Sequence, residues 1–151
     1  MSGVLRTTSN NADFNKLVLI LERELRERYG AIQDLYEPHN KVVGVNTAII
    51  AYKNNLPVGC GCFKKYDNTT IEVKRMFVEA SHRGEGISKL ILNELESWAI
   101  ELGYKRSILE TGLRQPESIG LYEKAGYKQI ANYEPYMEMV ESVCFGKELV
   151  K

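Results

Sequence analysis

Apolar residues recur with a helical period near the N-terminus. They are spaced by three and four residues and form one face of a predicted helix: Phe14, Leu17, Val18, Leu21 and Leu25. Asn10 or Asn11 offers an N-cap for this helix, and Tyr29-Gly30 marks its expected end. Charged residues fill most other positions, so we expect the opposite side of the helix to face solvent.

Strand-like segments precede this helix and fill the middle of the chain. Four strands are predicted: 4–8, 46–53, 57–66 and 70–78. The last three are separated by short Asn- and Asp-containing turns and would form an antiparallel meander. Residues 31–45 are the least regular part of the chain. We expect a short helix over 32–36 there, followed by a loop of the kind that often carries function.

The second half of the chain predicts a β-α-β unit. A helix over 87–102 carries an apolar stripe and stops at Gly103. The following strand, 106–110, should run parallel to the 70–78 strand, because a helix connects the two. One more helix and two strands are expected: 116–124, 128–131 and 142–150.

The composition is that of an ordinary globular domain. Of 151 residues, 44% are hydrophobic and 26% are charged, so we expect one mixed α/β (α+β) domain over residues 1–151, with helices on both faces of one sheet. The 20 basic and 20 acidic residues cancel, which argues against a nucleic-acid partner. Because we find neither a membrane-spanning run nor a signal peptide, we expect a cytoplasmic protein with no membrane partner.

The three cysteines, Cys60, Cys62 and Cys144, argue against a disulfide framework, because their number is odd and the expected compartment is reducing. Cys60 and Cys62 would share one face of a strand, where thiols usually act as small core residues. Their spacing is not that of a zinc site, and no other metal-ligand cluster is visible. We therefore expect no metal.

The stretch from Lys74 to Leu92 predicts an anion site. A strand ends there, a short turn contains Arg83, Gly84 and Gly86, and a helix follows. Such a turn directs backbone N–H groups at one point, and the helix dipole adds positive potential. The P-loop pattern is absent, and Lys89 stands where a dinucleotide-binding motif needs its last glycine. On the residues alone, a nucleotide site or a plain strand-to-helix turn stays open.

Two motifs resemble the GNAT superfamily of acetyl-CoA-dependent N-acetyltransferases. In the stretch EVKRMFVEASHRGEGIS, Arg83, Gly86 and Ser88 fill the family's phosphate-binding pattern, with serine as a small departure. The later stretch QPESIGLYEKAGY resembles the family's second signature, from which Gln115 and Ser118 depart. The ending SVCFGKEL is similar to the last strand of small bacterial members. The resemblance spans residues 46–149 and implies the GNAT fold: a mostly antiparallel sheet containing one parallel, splayed strand pair.

The resemblance also implies where acetyl-CoA binds. The strand edge would pair with the pantetheine arm, the turn would take the pyrophosphate, and the later helix would line the same gap. The implied cofactor-binding residues are Met76, Phe77, Val78, Arg83, Gly84, Glu85, Gly86, Ile87, Ser88, Lys89, Gln115, Ser118, Leu121, Tyr122 and Lys124. Good placement of the two reactants would supply much of the rate gain.

Two residues are the implied catalytic groups. In the family, the tyrosine corresponding to Tyr122 protonates the leaving thiolate. An amine attacks only when neutral, so a general base would help, and Glu72 is the first candidate because several family members carry their base near the start of this strand. Glu110 is the rival, because it ends the partner strand beside the gap.

The acceptor is not defined by these motifs. The candidate substrate-binding residues are His39, Asn40, Glu110, Tyr133 and Tyr136, which flank the expected cleft. We expect transfer of an acetyl group to a primary amine of a small molecule or amino acid. A protein or peptide amine acceptor and a non-catalytic CoA-binding module are the alternatives. The resemblance also leaves a homodimer open, because family members often dimerise.

Overall fold

The structure, a computed structural model, describes residues 2–150. These residues form seven strands: β1 (Gly3–Thr7), β2 (Ala48–Lys53), β3 (Leu56–Lys65), β4 (Thr70–Val78), β5 (Arg106–Gly112), β6 (Lys128–Ile130) and β7 (Ser142–Glu148). Four α-helices accompany them: α1 (Ala12–Tyr29), α2 (Gln33–Asn40), α3 (Ile87–Glu101) and α4 (Pro116–Lys124). Every predicted strand is present, with its ends within two residues of the prediction.

The strands form one sheet in the order β1-β2-β3-β4-β5-β7-β6. All neighbours are antiparallel except β4 and β5, which run parallel as predicted. Helix α3 lies between β4 and β5 in the chain, which a parallel pair in one sheet requires. The predicted mostly antiparallel sheet with one parallel pair is therefore confirmed.

Helices cover both faces of the sheet. Residues of α3 and α4 pack in one apolar cluster with Ile71 and Val73 of β4. Residues of α1, among them Phe14 and Leu17, pack in a second cluster on the other face. The N-cap prediction for α1 is confirmed at Asn11, whose Oδ1 accepts hydrogen bonds from the N–H groups of the first turn. No helix within residues 2–150 has the length and apolar character to cross a bilayer.

Small residues of strand β3 lie on opposite faces of the sheet. Cys60 and Cys62 are fully buried in the cluster beneath α1, which confirms the prediction that they are core residues. Burial raises the pKa of both thiols, that of Cys62 to about 12. Gly61 faces the other way, and a Cβ there would lie 2.6 Å from Met76 Sδ and 3.0 Å from Ile91 Cγ2. The glycine therefore lets α3 and Met76 approach the sheet.

A β-bulge at Arg75 changes the alternation of β4. Lys74 pairs with Cys62 and Phe77 pairs with Cys60, so β4 contains one extra residue between these pairs. Arg75 occupies it with φ 58°, a left-handed conformation that is uncommon for a residue with a side chain. Ahead of the bulge, Val73 packs beneath α3. After it, Phe77 packs beneath α1.

The prediction for the second helix needs correction. The helix begins at Gln33, after a 3-10 turn, and continues through Pro38 to Asn40, so His39 and Asn40 lie in its last turn and not in a loop. Pro38 has no backbone N–H, so the helix lacks one hydrogen bond at this residue. The helix ends two residues later, at Asn40. Burial of Gln33 and Tyr36 holds the short helix against the rest of the protein.

Candidate functional site

A gap opens where β4 and β5 separate. The two strands pair from Thr70 and Arg106 to Val73 and Leu109, but β4 continues to Val78 and β5 to Gly112 without further pairing to each other. The part of β4 after the bulge therefore presents backbone N–H and C=O groups toward the gap. Such an edge is suited to pair with an extended ligand.

A cleft of about 610 Å³ runs from this gap to the glycine-containing turn. It is lined by nearly all the residues predicted for acetyl-CoA: Met76, Phe77, Val78, Arg83, Gly84, Gly86, Ile87, Ser88, Lys89, Gln115, Ser118, Leu121, Tyr122 and Lys124. Glu85 is the exception. Its carboxylate accepts a 2.9 Å hydrogen bond from Lys53 Nζ and lies 3.4 Å from His82 Nδ1, so this side chain belongs to the outer surface.

The turn has the geometry of an anion site. Gly84 and Gly86 have φ values of 84° and 80°, which residues with a Cβ rarely adopt. Gly86 is the N-cap of α3, and no side chain caps the first turn. The N–H groups of that turn therefore have no capping side chain and can donate to an anionic ligand such as a phosphate. Ser88, Lys89 and Lys124 line the same part of the cleft.

Arg83 is already engaged within the protein. Its Nε donates a 2.8 Å hydrogen bond to the Val78 carbonyl, and its Nη2 pairs with Glu24 Oε1 at 2.8 Å. The side chain thus ties the turn to the end of β4 and to α1. Its charge contributes to the cleft, but a phosphate would share it with Glu24.

Helix α1 forms a wall of the cleft that the sequence analysis missed. Leu21, Glu24, Leu25 and Arg28 all line it, and Arg28 pairs with Glu117 of α4 at 2.6 Å. The two leucines belong to the predicted apolar face, but the charged residues of α1 were expected to face solvent. Helical spacing identifies the apolar and the charged face of α1. It does not show which parts of these faces border a cavity.

Tyr122 lies where two cavities meet. It lines both the cleft and a smaller cavity of about 100 Å³. The residue is 6% exposed, and burial together with the nearby Glu110 carboxylate raises its pKa well above the ordinary tyrosine value. The hydroxyl is therefore protonated at neutral pH. Among residues 2–150, no group forms a hydrogen bond with it, so the proton is available to a ligand.

Glu110 lines the smaller cavity together with Tyr122. Burial raises the pKa of its carboxyl to about 7. A 2.7 Å hydrogen bond donated by Ser142 Oγ and the positive charge of Lys74 oppose this shift, while the charge of Glu72 adds to it. A carboxyl with such a pKa is poised to accept a proton near neutrality.

Glu72 lies deeper, in a network of polar side chains. Its Oε2 accepts a 2.8 Å hydrogen bond from the Tyr133 hydroxyl and lies 3.7 Å from Lys74 Nζ. It lines a separate small pocket together with Glu110, Asn40 and Tyr136. The structure thus brings Glu72 close to the predicted substrate residues, but it does not place Glu72 among the residues that line the cavity beside Tyr122.

The other predicted substrate residues, Asn40, His39 and Tyr136, differ in how they contribute to this part of the site. Asn40 lines the smaller cavity, whereas His39 contributes a backbone carbonyl that accepts a 2.7 Å hydrogen bond from Lys74 Nζ. The His39 ring contacts the Tyr136 ring edge-on, with centroids 6.0 Å apart. Tyr136 is buried, and its hydroxyl accepts a 3.2 Å hydrogen bond from Lys74 Nζ.

Lys74, Arg75 and Gln33 are buried polar residues of the smaller cavity that the sequence analysis missed. Burial lowers the pKa of Lys74. Arg75 pairs with Glu22 at 2.8 Å through Nη2, but its Nε has no partner within residues 2–150. The same holds for Gln33 Nε2. A run of two basic residues in a strand was the only sequence signal for this part of the site.

Comparison with known proteins agrees with the resemblance seen in the motifs. The model of the Acetyltransferase (GNAT) family matches residues 14–127. IAA acetyltransferase of Azospirillum brasilense is 35% identical over 89 residues, which cover 58% of this chain and 58% of that protein. The uncharacterized N-acetyltransferase YsnE of Bacillus subtilis is 33% identical over 101 residues, 66% of this chain and 67% of that protein. The match thus spans little more than half of the Azospirillum relative.

Solved structures share the fold over nearly the whole chain. A Klebsiella pneumoniae protein, provisionally named an acyl-CoA N-acyltransferase, has a TM-score of 0.81 and 25% identity, with 99% of each chain covered. A GNAT family acetyltransferase from Elizabethkingia anophelis with acetyl-CoA bound has a TM-score of 0.69 and 19% identity, with 97% of each chain covered. The second likeness concerns the fold alone. Together with the family match, these findings show that the chain belongs to the acetyltransferase (GNAT) family of acyltransferases.

Proposed function

We propose that the protein is an N-acetyltransferase that transfers the acetyl group of acetyl-CoA to a primary amine of a small molecule or amino acid. The observation that carries the proposal is the position of Tyr122, which lines both the long cleft and the smaller cavity. A proton donor thus stands between a space suited to CoA and a space that contains a base, Glu110.

The cleft fits acetyl-CoA by its chemistry. The unpaired edge of β4 offers Met76–Val78 to the amide groups of the pantetheine arm. The turn around Gly84 and Gly86, with Ser88, Lys89 and Lys124, offers N–H groups and positive charge to the pyrophosphate. When bound, acetyl-CoA supplies the acetyl group as an activated thioester.

Glu110 is our candidate for the general base, ahead of Glu72. Its carboxyl faces the cavity shared with Tyr122, and its pKa of about 7 leaves a useful fraction ionised at neutral pH. The carboxylate would accept the proton that the amine loses as its nitrogen bonds to the acetyl carbon. The Glu72 carboxylate instead accepts from Tyr133 and lies beside Lys74.

Tyr122 is the proposed proton donor for the leaving sulfur. Its raised pKa keeps the hydroxyl protonated, and within residues 2–150 no protein acceptor competes for that proton. The polypeptide would thereby accept one proton at Glu110 and donate one at Tyr122 in each turnover. Proton transfer of this kind typically contributes on the order of 10²–10⁴-fold to a rate.

The small volume beside Glu110 favours a small acceptor. The cavity measures about 100 Å³ and is bounded by α1, α2 and β5. The test is a panel of primary amines, from polyamines to amino acids and short peptides, incubated with acetyl-CoA while release of the CoA thiol is followed. Thiol release that depends on one class of amine supports the proposal. Binding of acetyl-CoA without amine-dependent release for any amine would favour a CoA-binding module.

A further inference from the structure

Two residues that line the smaller cavity have buried hydrogen-bond donors that the protein itself does not use. Gln33 Nε2 and Arg75 Nε have no acceptor within residues 2–150, and the two residues are 3% and 8% exposed. Both residues line the cavity that contains Glu110 and Tyr122. Buried donors without partners are rare in folded proteins and point to a bound water, ion or ligand.

The two donors come from different elements. Gln33 begins α2, and Arg75 occupies the bulge of β4 in a left-handed conformation. Because of the bulge, Arg75 lies on the same side of the sheet as Lys74, the side covered by α1 and α2. Lys74 contacts His39 there, and Arg75 contacts Glu22. A residue with a strained backbone beside a cavity is typical of a functional site.

Building on the proposed acetyl transfer, we infer that the acceptor carries a carboxylate as well as its amine, and that Gln33 and Arg75 bind this carboxylate while Glu110 faces the amine. The guanidinium group of arginine matches a carboxylate in shape and charge, and an amide N–H adds a further donor. The substrate class is that of free amino acids and related amino carboxylates.

The charges around the cavity favour an anion with a single charge. Arg75 is balanced in part by Glu22, and Lys74 in part by Glu72. Glu110 and Glu141 line the same cavity, and Glu141 pairs with Arg114 at 2.9 Å. Close to two carboxylates, a dianion such as a phosphonate is disfavoured relative to a carboxylate.

The test compares acceptors that differ only at the carboxylate. Each member of a set of amino acids is assayed beside its carboxamide and its decarboxylated amine, for example alanine, alaninamide and ethylamine, with 1-aminoethylphosphonate as the dianionic member. For the best amino acid, we expect kcat/KM to exceed that of its carboxamide and its decarboxylated amine by on the order of 100-fold. The carboxamide has the less basic amine, so its intrinsic reactivity works against this result.

Two variants connect the preference to the site. Gln33→Leu should reduce the ratio of kcat/KM between the amino acid and its carboxamide by about 10-fold, because one donor to the carboxylate is lost. The variant should fold, because it removes a buried amide with an unpaired donor. Gln129→Leu is the matched control, since Gln129 is exposed on β6, and it should behave as the wild type. Arg75→Lys, which keeps the charge but not the fork of donors, should also reduce the ratio.

The outcomes separate this inference from the proposed function. Amine-dependent thiol release with carboxamides or peptides as the better acceptors would overturn the carboxylate site and keep the transferase. A preference for the phosphonate would also overturn it. If no amine is acetylated, the proposed function fails, and binding is then measured by calorimetry of the amino acid against the CoA-loaded protein. Binding that is weakened by Gln33→Leu and not by Gln129→Leu supports the carboxylate site even so; no binding overturns it.

Discussion

Ser142 Oγ donates a 2.7 Å hydrogen bond to Glu110 Oε2, across the antiparallel strands β5 and β7. This contact stabilises the ionised carboxylate and so lowers its pKa, against the effect of burial. Together with burial and the nearby charges of Lys74 and Glu72, it determines the pH at which the candidate base becomes ionised. A serine on the neighbouring strand therefore lowers the pKa of the Glu110 carboxyl.

Ser142→Ala should move the pH dependence of kcat/KM to higher pH. Loss of the hydrogen bond raises the pKa of Glu110 above its value of about 7, by about one unit for a bond to a charged group. Because the carboxylate is the active form, activity on the acid side of the curve falls. The measurement is kcat/KM from pH 5.5 to 9 with an amine of low pKa. Ser97→Ala on the exposed side of α3 is the control, and an unmoved curve for Ser142→Ala would count against Glu110 as the base.

Glu110→Gln and Glu72→Gln should change the pH dependence of kcat/KM in different ways. Glu110→Gln should reduce kcat/KM at pH 8 by about 100-fold or more and remove the inflection near pH 7. Glu72→Gln should keep an inflection and shift it to lower pH, because the charge of Glu72 raises the pKa of Glu110. The reverse pattern, in which only Glu72→Gln removes the inflection, would restore Glu72 as the base.

Tyr122→Phe should lower kcat with little change in the KM for acetyl-CoA. The ring keeps its packing against Tyr127, with centroids 5.8 Å apart, while the proton for the leaving sulfur is lost. A decrease of about 100-fold is expected for a general acid. Tyr104→Phe is a matched control, because Tyr104 packs beside Phe63 on the α3 side of the sheet. Equal kcat values for wild type and Tyr122→Phe would remove Tyr122 from the mechanism.

Gly86→Ala and Gly86→Asn together test the turn. The φ of 80° at this N-cap is strained for alanine and better tolerated by asparagine, while the space around the position is open in both cases. Gly86→Ala should cost about 1–2 kcal/mol of folding free energy and weaken CoA binding, and Gly86→Asn should cost less. Thermal unfolding and calorimetry with CoA measure the two effects. Identical melting temperatures for the two variants would mean that the left-handed conformation does not limit this position.

The sequence predicts the parts of the site that depend on local chemistry. The turn at Gly84 and Gly86 and the helix that contains Tyr122 follow from turn residues and helical spacing. The parallel pairing of β4 with β5 follows from the helix between them. The turn and the helix depend on short-range interactions, and the pairing of β4 with β5 follows from the order of the elements along the chain.

The acceptor side of the site could not be predicted in the same way. The bulge at Arg75 depends on pairing with β3 and leaves no pattern in the sequence of β4 itself. The raised pKa of Glu110 results from its burial in the folded protein. Extension of α2 through Pro38, against local propensity, depends on the burial of Tyr36. Each of these features results from long-range contacts.

The bulge divides β4 into two segments with opposite phase. Residues before Arg75 direct odd-numbered side chains toward α3, whereas residues after it direct even-numbered side chains there. Deletion of this one residue would restore the regular alternation of β4 and leave Met76, Phe77 and Val78 on the faces that they occupy now. An alignment with a strand that lacks the bulge must therefore place its gap at Arg75, because a gap after Val78 would assign Met76, Phe77 and Val78 to the wrong side of the sheet.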